Sequence, residues 1–393
     1  MATFSYARDA LVQRAQALIP ALRQRATETE KLRRLPDQTL ADFRQAGLMG
    51  LLKPKRFGGP EVRIDTAMEV TAELARGDGS AGWVWVILAC HDTLACFFPE
   101  AAQQEYWAEP DALMASSFAP AGKAERADGG YRLSGRWSYC SGVDCAQWLM
   151  LGAIAGMRSI DPPIPEMIYT LVPKSDLTVI DDWYVVGLRG TGSKSVAAND
   201  IFVPAHRTFS WTSAGDGTAP GAKAHDSPLY RAPMMSFFPF FISSPGAGIA
   251  RGGLDAFIAE MKERRTADMQ PLAKSPAVQL RIAEASALID AADLLYRRSL
   301  RETMDTIFAR QTLGLEHRAR SRRDQTYSLV LAKRAMDLLF AAEGARGLHD
   351  GHPVQRAYRD LQAVSAHIVA GWDTPALTYG EIALGQPPSS FIF

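Results

Sequence analysis

The five residues Trp137-Ser-Tyr-Cys-Ser141 bring hydroxyls, a thiol and two large aromatic faces into one short stretch. A strand carrying them can stack a ring on a planar cofactor and aim a hydroxyl at its edge. The stretch reads as a strand because Tyr131, Leu133 and Trp137 alternate with Arg132, Ser134 and Arg136, and because Gly129-Gly130 and Ser141-Gly142 supply turns at its ends. Plainer roles fit the same residues: Ser141 as a hydroxyl satisfying a turn N–H ahead of Gly142, and Trp137 as core. Other groups able to do chemistry are His91, which follows the apolar run from Trp83 to Cys90, and His367 near the end of the chain. For His91 the alternative is a core histidine bonded to a carbonyl. Of Ser116 and Ser117 only one can face inward, since one residue of register reverses the face of a strand.

Positioning these groups takes three blocks of different texture. Between Tyr6 and Lys31 the residues Ala10, Leu11, Ala15, Leu18, Ile19 and Leu22 recur at helical spacing, with a kink expected at Pro20. Pro36 opens a second helix that ends near Gly47, and after the turn-rich loop Leu51–Pro60 further helices are expected at 64–76 and 80–97. Residues 1–112 form an all-helical unit on this reading. From 113 to 211 the chain changes to short apolar or β-branched runs, among them Trp148–Ala155, Ile168–Val172, Leu177–Ile180 and Val196–Val203, which predict a small β domain. A loop rich in Gly, Ser and Ala follows from Thr212 to Ser227. Helices near 237–264, 276–303, 319–347 and 353–370 then make 212–393 a four-helix bundle, so the fold class is α+β.

Composition narrows the function classes. The chain has 393 residues, 47% of them hydrophobic, which is ample for a buried core. Lys+Arg and Asp+Glu both number 43, so no global field favours nucleic acid or an anionic membrane. The four cysteines lack zinc-site spacing and nothing at Met1 resembles a secretory signal, which points to reduced thiols in the cytoplasm and to no metal. The longest apolar run stops well short of the ~18 residues of a membrane span. No Gly-x-Gly-x-x-Gly follows a strand and opens a helix, so a nicotinamide site of Rossmann type is not expected.

The helical, β, four-helix order and several local phrases resemble the acyl-CoA dehydrogenase superfamily along nearly the whole chain. Leu51–Pro60 is similar to the loop that closes its first helices, and Gly130-Tyr-Arg-Leu-Ser-Gly135 to the strand leading to its flavin. Val185-Val-Gly-Leu-Arg-Gly-Thr-Gly-Ser193 and Ile201-Phe-Val-Pro204 resemble the end of its β domain. Gly344–Gly351 and Arg356-Ala-Tyr-Arg-Asp360 resemble its C-terminal flavin loop and helix. Where many dehydrogenases of the family carry a catalytic glutamate, this chain reads His367-Ile-Val-Ala-Gly-Trp372. His91, Ser117, Trp137–Ser141 and His367 together resemble the two-component flavin monooxygenases, the subgroup of aromatic and steroid-ring hydroxylases.

That resemblance implies reduced FMN or FAD supplied by a separate NAD(P)H:flavin reductase, O2 as co-substrate, a C4a-hydroperoxyflavin, and a small aromatic substrate such as a phenol or indole. It places Ser141 near flavin N5. It makes His91 and His367 the candidates that hydrogen-bond or deprotonate a phenol. Ser117 would meet both flavin and substrate, Trp137 would flank the isoalloxazine, and Arg251, with Arg281 as a further candidate, would meet the phosphate. Gly344 and Gly347 would belong to a loop reaching the neighbouring subunit's flavin in a homotetramer. Phe238 and Phe241, in Phe237-Phe-Pro-Phe-Phe241, would line the aromatic pocket or else serve as bundle core. His349 and His352 are read as surface or flavin-loop residues. The competing activities are an acyl-CoA dehydrogenase with tightly bound FAD, and a scaffold that has lost its flavin.

Overall fold

The computed structural model describes residues 4–160 and 163–390. Five helices open the chain: α1 (Arg8–Leu32), α2 (Asp37–Gln45), α3 (Ile64–Gly77), α4 (Gly79–Ala95) and α5 (Glu100–Trp107). Pro20 lies on the exposed side of α1, which continues through it as a single helix rather than ending there. All seventeen residues of α4 are buried. A helix apolar all round belongs at the centre of a body rather than on its surface, and α4 is accordingly packed on every side. Its start is fixed by Asp78, whose carboxylate accepts from the Ser80 and Ala81 N–H groups at 2.8 and 3.2 Å.

Seven strands follow: β1 (Met114–Ala127), β2 (Gly130–Cys140), β3 (Trp148–Arg158), β4 (Ile164–Pro173), β5 (Thr178–Ile180), β6 (Lys194–Pro204) and β7 (Thr208–Ser210). They form one sheet in the order β5-β6-β2-β1-β3-β4-β7, in which only β1 and β3 run parallel. Alternation along β1 divides its side chains between two cores. Met114 joins the helical core and Ala115 joins a separate core inside the β domain, built with Leu133, Trp137, Leu149, Leu151 and Val196. The sheet thus shares one seam with the helices, and the site lies on it.

The C-terminal part contains α6 (Trp211–Gly215), α7 (Phe238–Ser243), α8 (Pro245–Glu263), α9 (Pro276–Phe308), α10 (Leu315–Glu343), α11 (Pro353–Ser365) and α12 (Asp373–Ala383). The helix expected over 237–264 divides into α7 and α8 at Pro245, which supplies no N–H to a ladder. The helix expected over 353–370 stops at Ser365, and α12 lies outside the expected set. Two arginines of α11 join this part to the first helix: Glu30 accepts from Arg356 Nε at 3.0 Å and from Arg359 Nη2 at 2.8 Å. The same helix holds the loop before β6, since Arg359 Nη1 donates to the Val186 carbonyl and the Leu188 N–H donates to Asp360 Oδ1 at 2.6 Å. Among the described residues no helix is long and apolar enough to cross a membrane.

Candidate active site

Where α4, the end of β2 and the loop before β6 meet, four side chains form a directed chain of hydrogen bonds. Thr191 Oγ1 lies 2.9 Å from the Leu188 carbonyl, to which it can only donate. Its proton is thereby used, so it accepts from Ser193 Oγ at 2.7 Å, and Ser193 in turn accepts from Ser141 Oγ at 2.7 Å. Ser141 also accepts from the Trp83 indole N–H at 3.0 Å. Every proton in the series points toward the Leu188 carbonyl. A hydroxyl oxygen has two lone pairs, and Ser141 spends one on Trp83; what remains to it is an acceptor site and no proton. The turn that presents Ser141 is held open by Gly142 at φ +75, whose N–H donates to the Thr191 carbonyl at 2.9 Å.

His367 packs against Trp83, the two ring centroids 5.9 Å apart. It belongs to the turn between α11 and α12 and not to a helix, which corrects the position expected from the sequence; the Val369 N–H donates to its Nδ1 at 3.3 Å. Burial, helped by the nearby Arg322 guanidinium, holds His367 down to about 4, so near neutral pH its imidazole is uncharged and, with Nδ1 accepting from Val369, carries its proton on Nε2. His91 is fully buried between α4 and β1. Neither of its ring nitrogens has a hydrogen bond of proper geometry, although the Ile87 and Met114 carbonyls lie near enough to favour its protonated form slightly. Burial dominates and pushes it down to about 3. A buried polar group left without a partner is uncommon and costs stability, which marks His91 as a group waiting for a donor or acceptor.

The structure brings Ser141 and His367 together through Trp83 and leaves other expected residues elsewhere. Trp137 is in the interior of the β domain, its N–H donating to the Gly152 carbonyl at 2.6 Å. Its ring fills the space over Gly122, where an added Cβ would lie 2.2 Å from Trp137 Cζ2. It offers no free face to a cofactor; that expectation is corrected, and Trp83 is the indole at the site. Ser117 is buried and donates to the Ser138 carbonyl at 2.9 Å, whereas Ser116 is part-exposed and shares a strand face with Met114 and Phe118. Phe238 packs on Phe118 with centroids 4.5 Å apart, forming an aromatic wall on that face, and Phe241 lies behind it, fully buried. Arg251 is ion-paired in the bundle with Asp293 at 2.8 Å, a carboxylate it shares with Arg297, so it is engaged there rather than free for a phosphate; Arg281 is exposed. Gly344 takes φ +63 at the end of α10, and Gly347 follows in a short turn with Arg346 exposed. His352 sits within 3.0 Å of Glu260 Oε2, beside Glu343.

Trp83, Thr191 and Ser193 escaped the reading of the sequence. Trp83 is masked by an apolar run in which any aromatic reads as core. The two hydroxyls lie in Arg189-Gly-Thr-Gly-Ser193, where the density of Gly and Ser is itself the signal of a tight polar loop.

Two family descriptions match the chain: acyl-CoA dehydrogenase, N-terminal domain, over residues 8–111, and acyl-CoA dehydrogenase, C-terminal domain, over residues 240–372. The chain is 37% identical over 389 residues to the FADH(2)-dependent resorcinol hydroxylase, oxygenase component, of a Rhizobium species, covering 96% of this chain and 95% of that one. It is 36% identical to the flavin-dependent monooxygenase, oxygenase subunit HsaA, of Rhodococcus jostii, covering 96% and 98%. The crystal structure of 3-HSA hydroxylase from Rhodococcus sp. RHA1 superposes with a TM-score of 0.91 at 35% identity, covering 98% of both chains.

Proposed function

Since the chain belongs to the acyl-CoA dehydrogenase superfamily, within its branch of flavin-dependent monooxygenase oxygenase components, we propose that the hydroxyl series ending at Ser141 is the place where its reduced flavin docks. The protein is an oxidoreductase of the two-component type, hydroxylating an aromatic substrate with reduced flavin and O2. The observation that carries the docking site is the direction of the protons. Ser141 offers a lone pair and no hydrogen, which suits a ring N–H. Reduced flavin has such a group at N5, whereas oxidised flavin presents only an acceptor there. When bound, the reduced flavin supplies the two electrons and the site of oxygen activation from which one oxygen atom reaches the substrate ring.

The chain's own residues have separable tasks. Ser141 holds the N5 proton, and the Trp83, Ser193 and Thr191 partners keep its hydroxyl from rotating to donate instead. His367, neutral near pH 7 with its Nδ1 taken by the Val369 N–H, donates from Nε2 to the phenolic oxygen and holds that oxygen in place. His91 meets a second polar edge of the substrate, which gives its unpartnered nitrogens an occupation. Phe118 and Phe238 supply the flat apolar wall that orients an aromatic ring and excludes water. The turn at His367 carries no carboxylate, so the α-proton abstraction of a dehydrogenase has no base there.

Assembly as a homotetramer belongs to the same reading. Leu280 and Leu294 on α9, Leu348 beyond α10, and Leu377 and Leu384 at α12 are each more than half exposed, which is surface suited to burial between subunits. It would bring the Gly344–Leu348 turn against a neighbour's flavin. Four free cysteines suit the cytoplasm, where the reductase can deliver reduced flavin. The direct test is anaerobic titration with reduced and oxidised flavin. Reduced flavin is expected to bind at least about tenfold tighter, with Ser141→Ala narrowing the gap. Equal affinity for both forms in the wild-type protein overturns the docking site.

A further inference from the structure

Arg322, on α10, is a buried cation without an anion. Its side chain is about as hidden as the core around it, at 5% exposure, and no carboxylate among the described residues comes within ion-pairing distance. Asp324, the nearest acid in sequence, is occupied by Arg298, Arg323 and Ser299. What Arg322 does have is neutral: Nη1 donates to Gln325 Oε1 and, at 3.0 Å, to the Val369 carbonyl, while Nε has no partner. Buried charges are ordinarily paired, because removing one from water is expensive unless an opposite charge compensates. An arginine kept in this condition is complete only when something negative arrives.

Its position says what that is. The Val369 carbonyl belongs to the turn that carries His367, two residues away. Gln325 donates to the Pro239 carbonyl at 2.6 Å, next to Phe238 of the aromatic wall. The guanidinium is therefore fixed between α7 and the His367 turn. The titratable groups facing it are His367 across the turn and, on its own helix, His317 and Arg318, with which it lines a small cavity together with Ser236, Thr303 and Ser321. None of the three supplies a negative charge.

We propose that Arg322 is a specificity-determining residue of the site, the cation that selects an aromatic substrate carrying a negative oxygen. This rests on the aromatic hydroxylase reading above. The oxygen can be a ring phenolate or a carboxylate on a side arm, and both give the guanidinium the charge-assisted partner it lacks. A phenolate held this way is also the form that reacts best with an electrophilic oxygen.

The test measures binding without turnover, under anaerobic conditions, with and without reduced flavin. The probes are 4-nitrophenol at a pH where it is ionised, 4-nitrobenzoate, and the neutral 4-nitroanisole, followed by quenching of tryptophan fluorescence. Wild-type protein is expected to bind at least one anion about tenfold more tightly than nitroanisole, and the preference is expected to fall to about one in Arg322→Met and to survive in Arg322→Lys. Which anion is preferred separates the ring oxygen from the carboxylate. If nitroanisole binds wild-type protein as tightly as both anions, the proposal is wrong even if Arg322→Met never folds. Retention of the preference by a folded Arg322→Met protein overturns it equally. A charge preference in a protein that forms no hydroxylated product would leave Arg322 in its role and remove the hydroxylase reading instead.

Discussion

Trp137 and Trp83 are both buried and both donate their indole N–H, yet they serve opposite ends. Trp137 is in the interior of the sheet, where its donation ends at a backbone carbonyl and its ring fills the gap left by a glycine. Trp83 is on the seam between sheet and helices, where its donation ends at a hydroxyl that donates to Ser193, which donates in turn to Thr191. The interior is closed, with Trp137 satisfied by its own fold. The seam is open in a chemical sense: Ser141 keeps a lone pair, His91 keeps two bare nitrogens and Arg322 keeps a charge. Burial alone does not separate a structural aromatic from a functional one; where its hydrogen bond terminates does.

The strongest way to sharpen the contrast is to delete the interior ring. Trp137→Ala leaves a cavity over Gly122 and an unsatisfied Gly152 carbonyl, and it is expected to cost about 3–5 kcal/mol of stability. Product formed per reduced flavin consumed by the remaining folded protein should stay at the wild-type value. Thermal denaturation combined with a product assay normalised to folded protein checks both; poor coupling in the folded fraction would place Trp137 at the site after all.

Next in size is Ser141→Ala, which removes the acceptor from the seam while leaving the fold intact. Loss of a hydrogen bond to a buried polar group is worth about 2 kcal/mol, so hydrogen peroxide released per product should rise roughly 30-fold, while the Trp83 N–H left without its acceptor lowers stability by about 1–3 kcal/mol. Unchanged coupling would mean that the series ends in an ordinary turn hydroxyl.

How far these two regions could be told apart in the sequence has a physical limit. The alternation around Trp137 identified β2, the apolar texture of 80–97 identified α4, and Ser141 and His367 were legible as hydroxyl and imidazole at conspicuous places. What alternation cannot say is which face of β2 looks at the helices, and Trp137 falls on the other one. Nor does a helix buried all round, as α4 is, have a distinguishable side, so Trp83 was hidden among equals. The turn after α11 was missed for a related reason: Ile368, Val369 and Ala370 continue an apolar pattern that a helix would accept, while the backbone has already left the helix at Ala366. Arg322 needed the third dimension outright, since an unpaired charge is a statement about what is absent around it.

A third prediction asks which region the far end of α4 belongs to. His91 titrates at about 3 in the folded protein against 6.5 for an ordinary histidine. Between those values the unfolded chain carries a proton that the folded chain does not, so stability falls as the pH drops through that window, by about 1.4 kcal/mol per pH unit for one such group. His367 and His225, both held near 4 by burial, act in the same direction. His91→Gln should flatten the acid limb of a stability-against-pH curve by about one proton, and a bound phenol should restore part of the stability of the wild type but not of the variant. An unaltered acid limb would mean that His91 already has a partner.

The smallest effect is the most discriminating. Trp83→Phe keeps the ring in place and removes one N–H, so packing against His367 is retained and the stability cost should be within about 1 kcal/mol. Ser141 then loses one of the partners that restrain its rotation and can turn its own proton outward more readily. A hydroxyl free to donate no longer distinguishes a ring N–H from a bare ring nitrogen. The expected outcome is a preference for reduced over oxidised flavin diminished roughly fivefold, with peroxide leakage between that of the wild type and Ser141→Ala. If Trp83→Phe loses stability and leaves flavin preference untouched, Trp83 is a second Trp137 and the seam has no more chemistry in its indole than the interior has. If the preference moves and stability does not, the two tryptophans are separated by function at nearly equal burial, and the direction of the protons is what separates them.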